Sequence, residues 1–178
     1  MKLFKKLAAA ALAAVLALSM VGCGAGGTGS ALDLKNEVLN LIEDEYYLSG
    51  KTATHTTAMD TEAAKLIEAA AKAGAKEGNN DTVQELLQDN GSGDYIAIFA
   101  SYPQLRTEFM QNTYIQKMNM ALNEAINPQG NRDYEKMIVK IGTPGTPAVG
   151  VGDSIEMGVA TGTIKGKNYL VLLVKKAA

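Results

Sequence analysis

The sequence predicts an α+β domain in which an antiparallel sheet of about three to four strands is flanked by helices, an α-β-α sandwich. Three observations predict it. Apolar residues recur at helical spacing through the first half of the chain. Two strand-length apolar runs close the chain around a tight turn at Lys165-Gly166-Lys167. Helices come first and strands gather late, an order that argues for segregated layers and against a sheet wound by regular crossovers.

The chain opens with MKLFKK, and an apolar run rich in Ala and Leu follows from Leu7 to about Val21. This is the layout of a bacterial export signal, a basic start and a short greasy core. The run is about 15 residues, whereas a membrane-spanning helix needs roughly 20. Met20-Val21-Gly22-Cys23 then resembles the lipobox of bacterial lipoproteins, with Met20 standing where leucine is more usual. The resemblance implies cleavage before Cys23 and attachment of lipid to its thiol, the strongest nucleophile available for a thioether. Several acyl chains, at ~0.8 kcal/mol per buried methylene, anchor stably where one chain is marginal. Residues 1–22 are thus expected to be a leader and 23–30 a lipidated cysteine with its tether. GAGGTGS, residues 24–30, is a flexible coil reaching on the order of 15 Å.

Residues 31–178 form the single remaining domain. Asp33 can cap a helix in which Leu34, Val38, Leu41, Ile42 and Leu48 recur, ending near Ser49-Gly50. KTATHTTAM, rich in Thr, is loop or extended chain. A second helix is expected from Asp60 to Lys76, with Ala63, Leu66, Ile67, Ala70 and Ala71 on one narrow face whose small side chains allow close approach. Asp81 and Gln84 are spaced like a capping box for a short third helix to Gln88, stopped by DNGSGD at 89–94. YIAIFA, 95–100, suits a buried strand. Pro103 fits the first position of a long helix, where its missing N–H costs nothing. Leu105, Phe109, Ile115, Met118, Leu122, Ala125 and Ile126 mark its buried face, and Asn127-Pro128-Gln129-Gly130 ends it. Glu135–Ile141 alternates as a strand with Met137, Val139 and Ile141 on one side. GTPGTPAVGVGD, 142–153, is a loop long enough to carry function. Strands follow over 154–163 and 168–174; the second contains YLVLLV, apolar at every position, so both its faces should be covered.

This order of elements looks like that of the CAP superfamily, also called SCP or PR-1-like domains. LKNEVLNLIEDEY (34–46) and MDTEAAKLIEAAAKAGA (59–75) are similar to that family's first two helices. GDYIAIFASYPQLRTEFMQN (93–112) resembles its central segment and MGVATGTIKGKNYLVLLV (157–174) its terminal hairpin. The resemblance implies a sheet sandwiched between helices, and a cavity of two histidines and two acidic residues able to hold a divalent metal. Asp94 stands at one acidic position. The histidines are missing: Ile115 or a neighbour occupies the place of one, and His55 precedes the second helix. The stretch between Thr113 and Gly152 also departs from the pattern.

Composition narrows the chemistry. The chain has 17 basic and 19 acidic residues, and losing Lys2, Lys5 and Lys6 with the leader leaves 14 against 19, a formal −5. No basic cluster suggests nucleic acid. The acidic balance argues against docking on anionic lipid heads, so membrane contact is assigned to the lipid on Cys23 alone. One cysteine allows no intrachain disulfide. One histidine, His55, leaves a serine triad a single candidate base with no acidic orienter beside it, and zinc sites of the usual kind lack ligands. Asp89, Asn90 and Asp94 offer hard oxygens for calcium, at spacings unlike an EF-hand loop. Glu43-Asp44-Glu45 reads as a solvated face. Met110, Met118 and Met120 either fill the core or line an adaptable groove.

These readings point to a bacterial cell-envelope protein outside the cytoplasm. It is held to the membrane through Cys23, binds a protein or cell-wall partner, and needs neither cofactor nor catalytic set. His55, Asp94 and Asp89 are its candidate ligand contacts. The alternatives are an envelope hydrolase using carboxylates, with or without a divalent metal, and a small-ligand receptor closed by the 142–153 loop.

Overall fold

The computed structural model describes residues 31–74, 95–103, 107–141 and 152–177. The expected leader, Cys23 and the expected tether, the expected third helix, Asp89, Asp94 and nearly all of the expected 142–153 loop lie outside them. The described elements are α1 (Ala31–Leu48), β1 (Thr52–His55), α2 (Thr57–Ala73), β2 (Tyr95–Tyr102), α3 (Glu108–Ile126), α4 (Arg132–Glu135), β3 (Ile138–Ile141), β4 (Ser154–Ile164) and β5 (Lys167–Lys176).

The fold is α+β, a sheet between helical layers, as expected. The sheet runs β1-β4-β5-β2-β3. Four strands pair antiparallel, with Ala160 opposite Val171 and Phe99 opposite Val171 on the other side. The fifth is an addition: β1 lies parallel to β4, Thr52 against Ser154 and His55 against Met157. The sheet is therefore mixed. A parallel pair joins segments far apart in the chain and leaves no local turn signal, which is why the sequence yields extended chain there and no partner for it.

β5 sits between β4 and β2 and buries both faces, the environment its unbroken YLVLLV requires. Leu170, Leu172 and Val174 meet Ile96, Ile98, Ile155 and Met157 beneath α1 and α3. Tyr169, Val171 and Leu173 meet Ala97, Phe99 and Ala160 beneath α2. The rings of Phe99 and Tyr169 stack with centroids 4.9 Å apart. α2 approaches β4 closely because both sides are small. Ala63 and Ala70 face the sheet, and Gly158 lies so near the backbone of Met59 and Asp60 that no Cβ fits there.

Several boundaries move. Leu34, Val38 and Ile42 are buried as expected, but Leu48 is 82% exposed, and Leu39 and Tyr46 take part in the core instead. Asp33 falls inside α1, which begins at Ala31. α2 ends at Ala73, with Gly74 in the left-handed conformation, and Ala71 is exposed. α3 starts after Thr107, whose hydroxyl accepts from the Met110 N–H, so Pro103 ends a strand and does not open a helix. Phe109 consequently sits in the first turn, beyond the sheet's cover, and is 80% exposed. Glu135 belongs to α4, and the strand is confined to 138–141.

Candidate functional site

One face of α3 lines an open groove of about 830 Å³ whose opposite wall is α4 and its flanks. Phe109, Thr113, Gln116 and Met120 recur every three to four residues, so they form one stripe along the helix. From Phe109 to Met120 are eleven rises of ~1.5 Å, so the stripe is about 16 Å long. Asn131, Asp133, Tyr134 and Lys136 face it. The Tyr134 hydroxyl donates to the Met120 sulfur at 3.2 Å, and Lys136 lies 3.7 Å from Asp133. The groove therefore sets the large side chains of Phe109, Met120 and Tyr134 among hydroxyl, amide and charged groups.

Glu124 fixes the second wall. Its carboxylate is buried, and Oε1 accepts from the backbone N–H groups of Gln129, Gly130 and Asn131 at 2.9, 2.9 and 3.2 Å. Three donors converging on one oxygen satisfy a buried charge and lock the turn that leads into α4. Asn131 then caps α4, its side chain accepting from the Asp133 N–H at 3.2 Å. Sequence reasoning missed Glu124, which looks like one more polar residue on a helix. The signal was the turn Asn127-Pro128-Gln129-Gly130, whose free N–H groups need an acceptor.

His55 lies elsewhere, at the end of β1. Its Nε2 is 2.9 Å from Asp60 Oδ2, and Asp60 Oδ1 accepts from the Val159 N–H at 2.8 Å. An acidic orienter thus exists five residues on, contrary to the sequence expectation. It was hidden because the chain reverses at Thr56, the N-cap of α2, whose hydroxyl accepts from the Met59 N–H at 3.2 Å. The pair ties the first turn of α2 to β1 and β4. With the second oxygen committed to Val159, Asp60 acts as a clasp between three elements.

The three methionines divide. Met118 is fully buried in the core, Met120 lines the groove at 48% exposure, and Met110 is exposed and not among the groove's lining residues. Asp44 and Glu45 face solvent. Among the described residues no three His, Cys, Asp or Glu side chains gather as metal ligands, and no helix is long and apolar enough to cross a membrane. Burial, reinforced by the negative charge of Asp153, pushes the Tyr46 phenol up to about 12. Burial also raises that of Tyr102.

No protein-family model matches the chain, and no curated protein matches it. Among solved structures the chain is similar to the CAP domain of Enterococcal PrgA, at 10% sequence identity and a TM-score of 0.46. The match covers 81% of this chain and 60% of that one, so this chain spans less than two thirds of its length.

Proposed function

We propose that this chain is a lipid-anchored domain on the outer side of a bacterial membrane, and that it binds a protein or cell-envelope component without catalysing a reaction. The observation that carries the binding half is the groove. Phe109 and Met120 are large apolar side chains held in solvent along one stripe, and the facing wall is braced by a buried carboxylate. A groove that sets exposed apolar side chains among polar ones offers both apolar contact and hydrogen-bonding groups to a partner. The anchor half rests on Met20-Val21-Gly22-Cys23 and the GAGGTGS tether. Kinship with CAP domains belongs to the same reading and rests on the order of elements in the sequence.

The test uses the full chain in a bacterial host. Mass spectrometry should find the mature N-terminus at Cys23 carrying acyl chains, and Cys23→Ser should abolish that mass. A photo-crosslinker at Gln116, inside the groove, should give a discrete adduct in intact cells. The same group at Asn40, on the exposed side of α1, should give none, and Phe109→Ala with Met120→Ala should erase the Gln116 adduct. Equal labelling from both positions would refute the groove as the contact surface.

A further inference from the structure

The methionines of α3 sit in three different settings. Met118 is sealed in the core, as Met59, Met137 and Met157 are elsewhere, none of them more than 2% exposed. Met110 stands open in the first turn of the helix, and among the described residues no hydrogen bond reaches its sulfur. Met120 is open as well, but its sulfur accepts from the Tyr134 hydroxyl across the groove.

That donor is held in place. The Tyr134 ring packs against the core cluster beneath α1 and α3, and its residue is tied by backbone bonds to Asn131 and Met137. Glu124 locks the turn from which α4 starts. A thioether sulfur is a weak acceptor with two lone pairs, which are inequivalent in a chiral residue. Tyr134 engages one of them, and the other is left to the groove that Met120 lines. A reagent entering the groove therefore meets one face of this sulfur, whereas both faces of the Met110 sulfur are unguarded.

We propose that Met120 is an oxidation site, taking one oxygen atom from a hydroperoxide to give one sulfoxide epimer in excess, and that this oxygen closes the groove to its partner. The closing rests on the groove being the contact surface; the oxidation site itself does not. In the reaction the open lone pair of the sulfur attacks a peroxide oxygen, so an S–O bond forms as the O–O bond breaks. The other peroxide oxygen leaves as hydroxide and takes the proton from the sulfur-bound oxygen, ending as water. Sulfur gives up an electron pair and the peroxide accepts it. The product is polar and chiral where the thioether was apolar. Its oxygen stands on the groove side of Met120, in the stripe that Phe109 begins, and an apolar group of a partner would have to strip it of water.

The experiment treats the full chain, purified from bacterial membranes, with dilute hydrogen peroxide. Fragment mass spectra should show oxygen added at Met120 and Met110, while Met118 reacts only when the core opens. After digestion, two sulfoxide reductases, each specific for one epimer, divide the product. One epimer should exceed the other roughly fivefold at Met120, the factor that a single neutral hydrogen bond carries, and the two should be nearly even at Met110. Tyr134→Phe keeps the ring and removes the donor, and should bring Met120 to the Met110 ratio. For the closing, Met110→Leu protein carrying the photo-crosslinker at Gln116 is oxidised and then added to membranes of the same host. Its adduct should fall at least roughly fivefold against the unoxidised sample. Near-even epimers at Met120, an unchanged ratio in Tyr134→Phe, or a Met120 as resistant as Met118 would overturn the oxidation site. A selective sulfoxide with undiminished adduct would overturn the closing. Absence of the adduct before oxidation would overturn the groove as contact surface, and the closing with it, while the epimer ratio still decides the oxidation site.

Discussion

At the scale of single residues, Gly158 and Tyr46 show how little room the packing leaves. A methyl at Gly158 would run into the main chain of Met59 and Asp60, which cannot swing aside as a side-chain tip would. Gly158→Ala should therefore cost about 3 kcal/mol, read as a lower denaturant midpoint at unchanged slope. Tyr46 sets an alkaline limit. Its folded phenol is pushed up to about 12 from the usual 10.0, so the folded state keeps a proton that the unfolded chain gives up. The contribution is complete below pH 10 and fades as pH climbs toward 12. The loss should be at most ~3 kcal/mol, and Tyr46→Phe should flatten the stability curve over that window.

Among elements, the short α4 depends on a charge it does not contain. Glu124→Ala strips an acceptor from three N–H groups in the turn before it. The expected cost is about 3 kcal/mol, with hydrogen exchange of residues 129–131 rising first. Glu124→Gln keeps an acceptor and should cost about 1 kcal/mol. This element also shows where sequence reading stops. Helical periodicity located α1, α2 and α3, and the apolar run located β5, because each signal is local. The start of α3 was misplaced since Pro103 serves a strand end as well as it serves a helix start. Phe109 looked like core because periodicity gives a face but not where the covering sheet ends. Glu124, Asp60 and the parallel β1 act through contacts that the chain makes only after it has folded back, and no spacing rule announces those.

For the whole molecule, stability is concentrated in the strand that both helical layers share. Leu172 is fully buried on the α1–α3 side and Val171 on the α2 side. Leu172→Ala should cost about 3 kcal/mol and lower a single cooperative unfolding transition, seen alike by circular dichroism and tyrosine fluorescence. Separate transitions for the two layers would contradict this picture of β5 as their common floor.

The brevity of β1 has its own consequence. It covers β4 only from Ser154 to Met157, while β4 continues to Ile164. Immediately past the covered part, the Val159 N–H is occupied by the Asp60 carboxylate. An intruding strand from another molecule would need that same donor to extend the sheet, so Asp60 guards a border that neighbouring strands leave open. Asp60→Ala should make the protein self-associate, with concentration-dependent sedimentation where the parent stays constant.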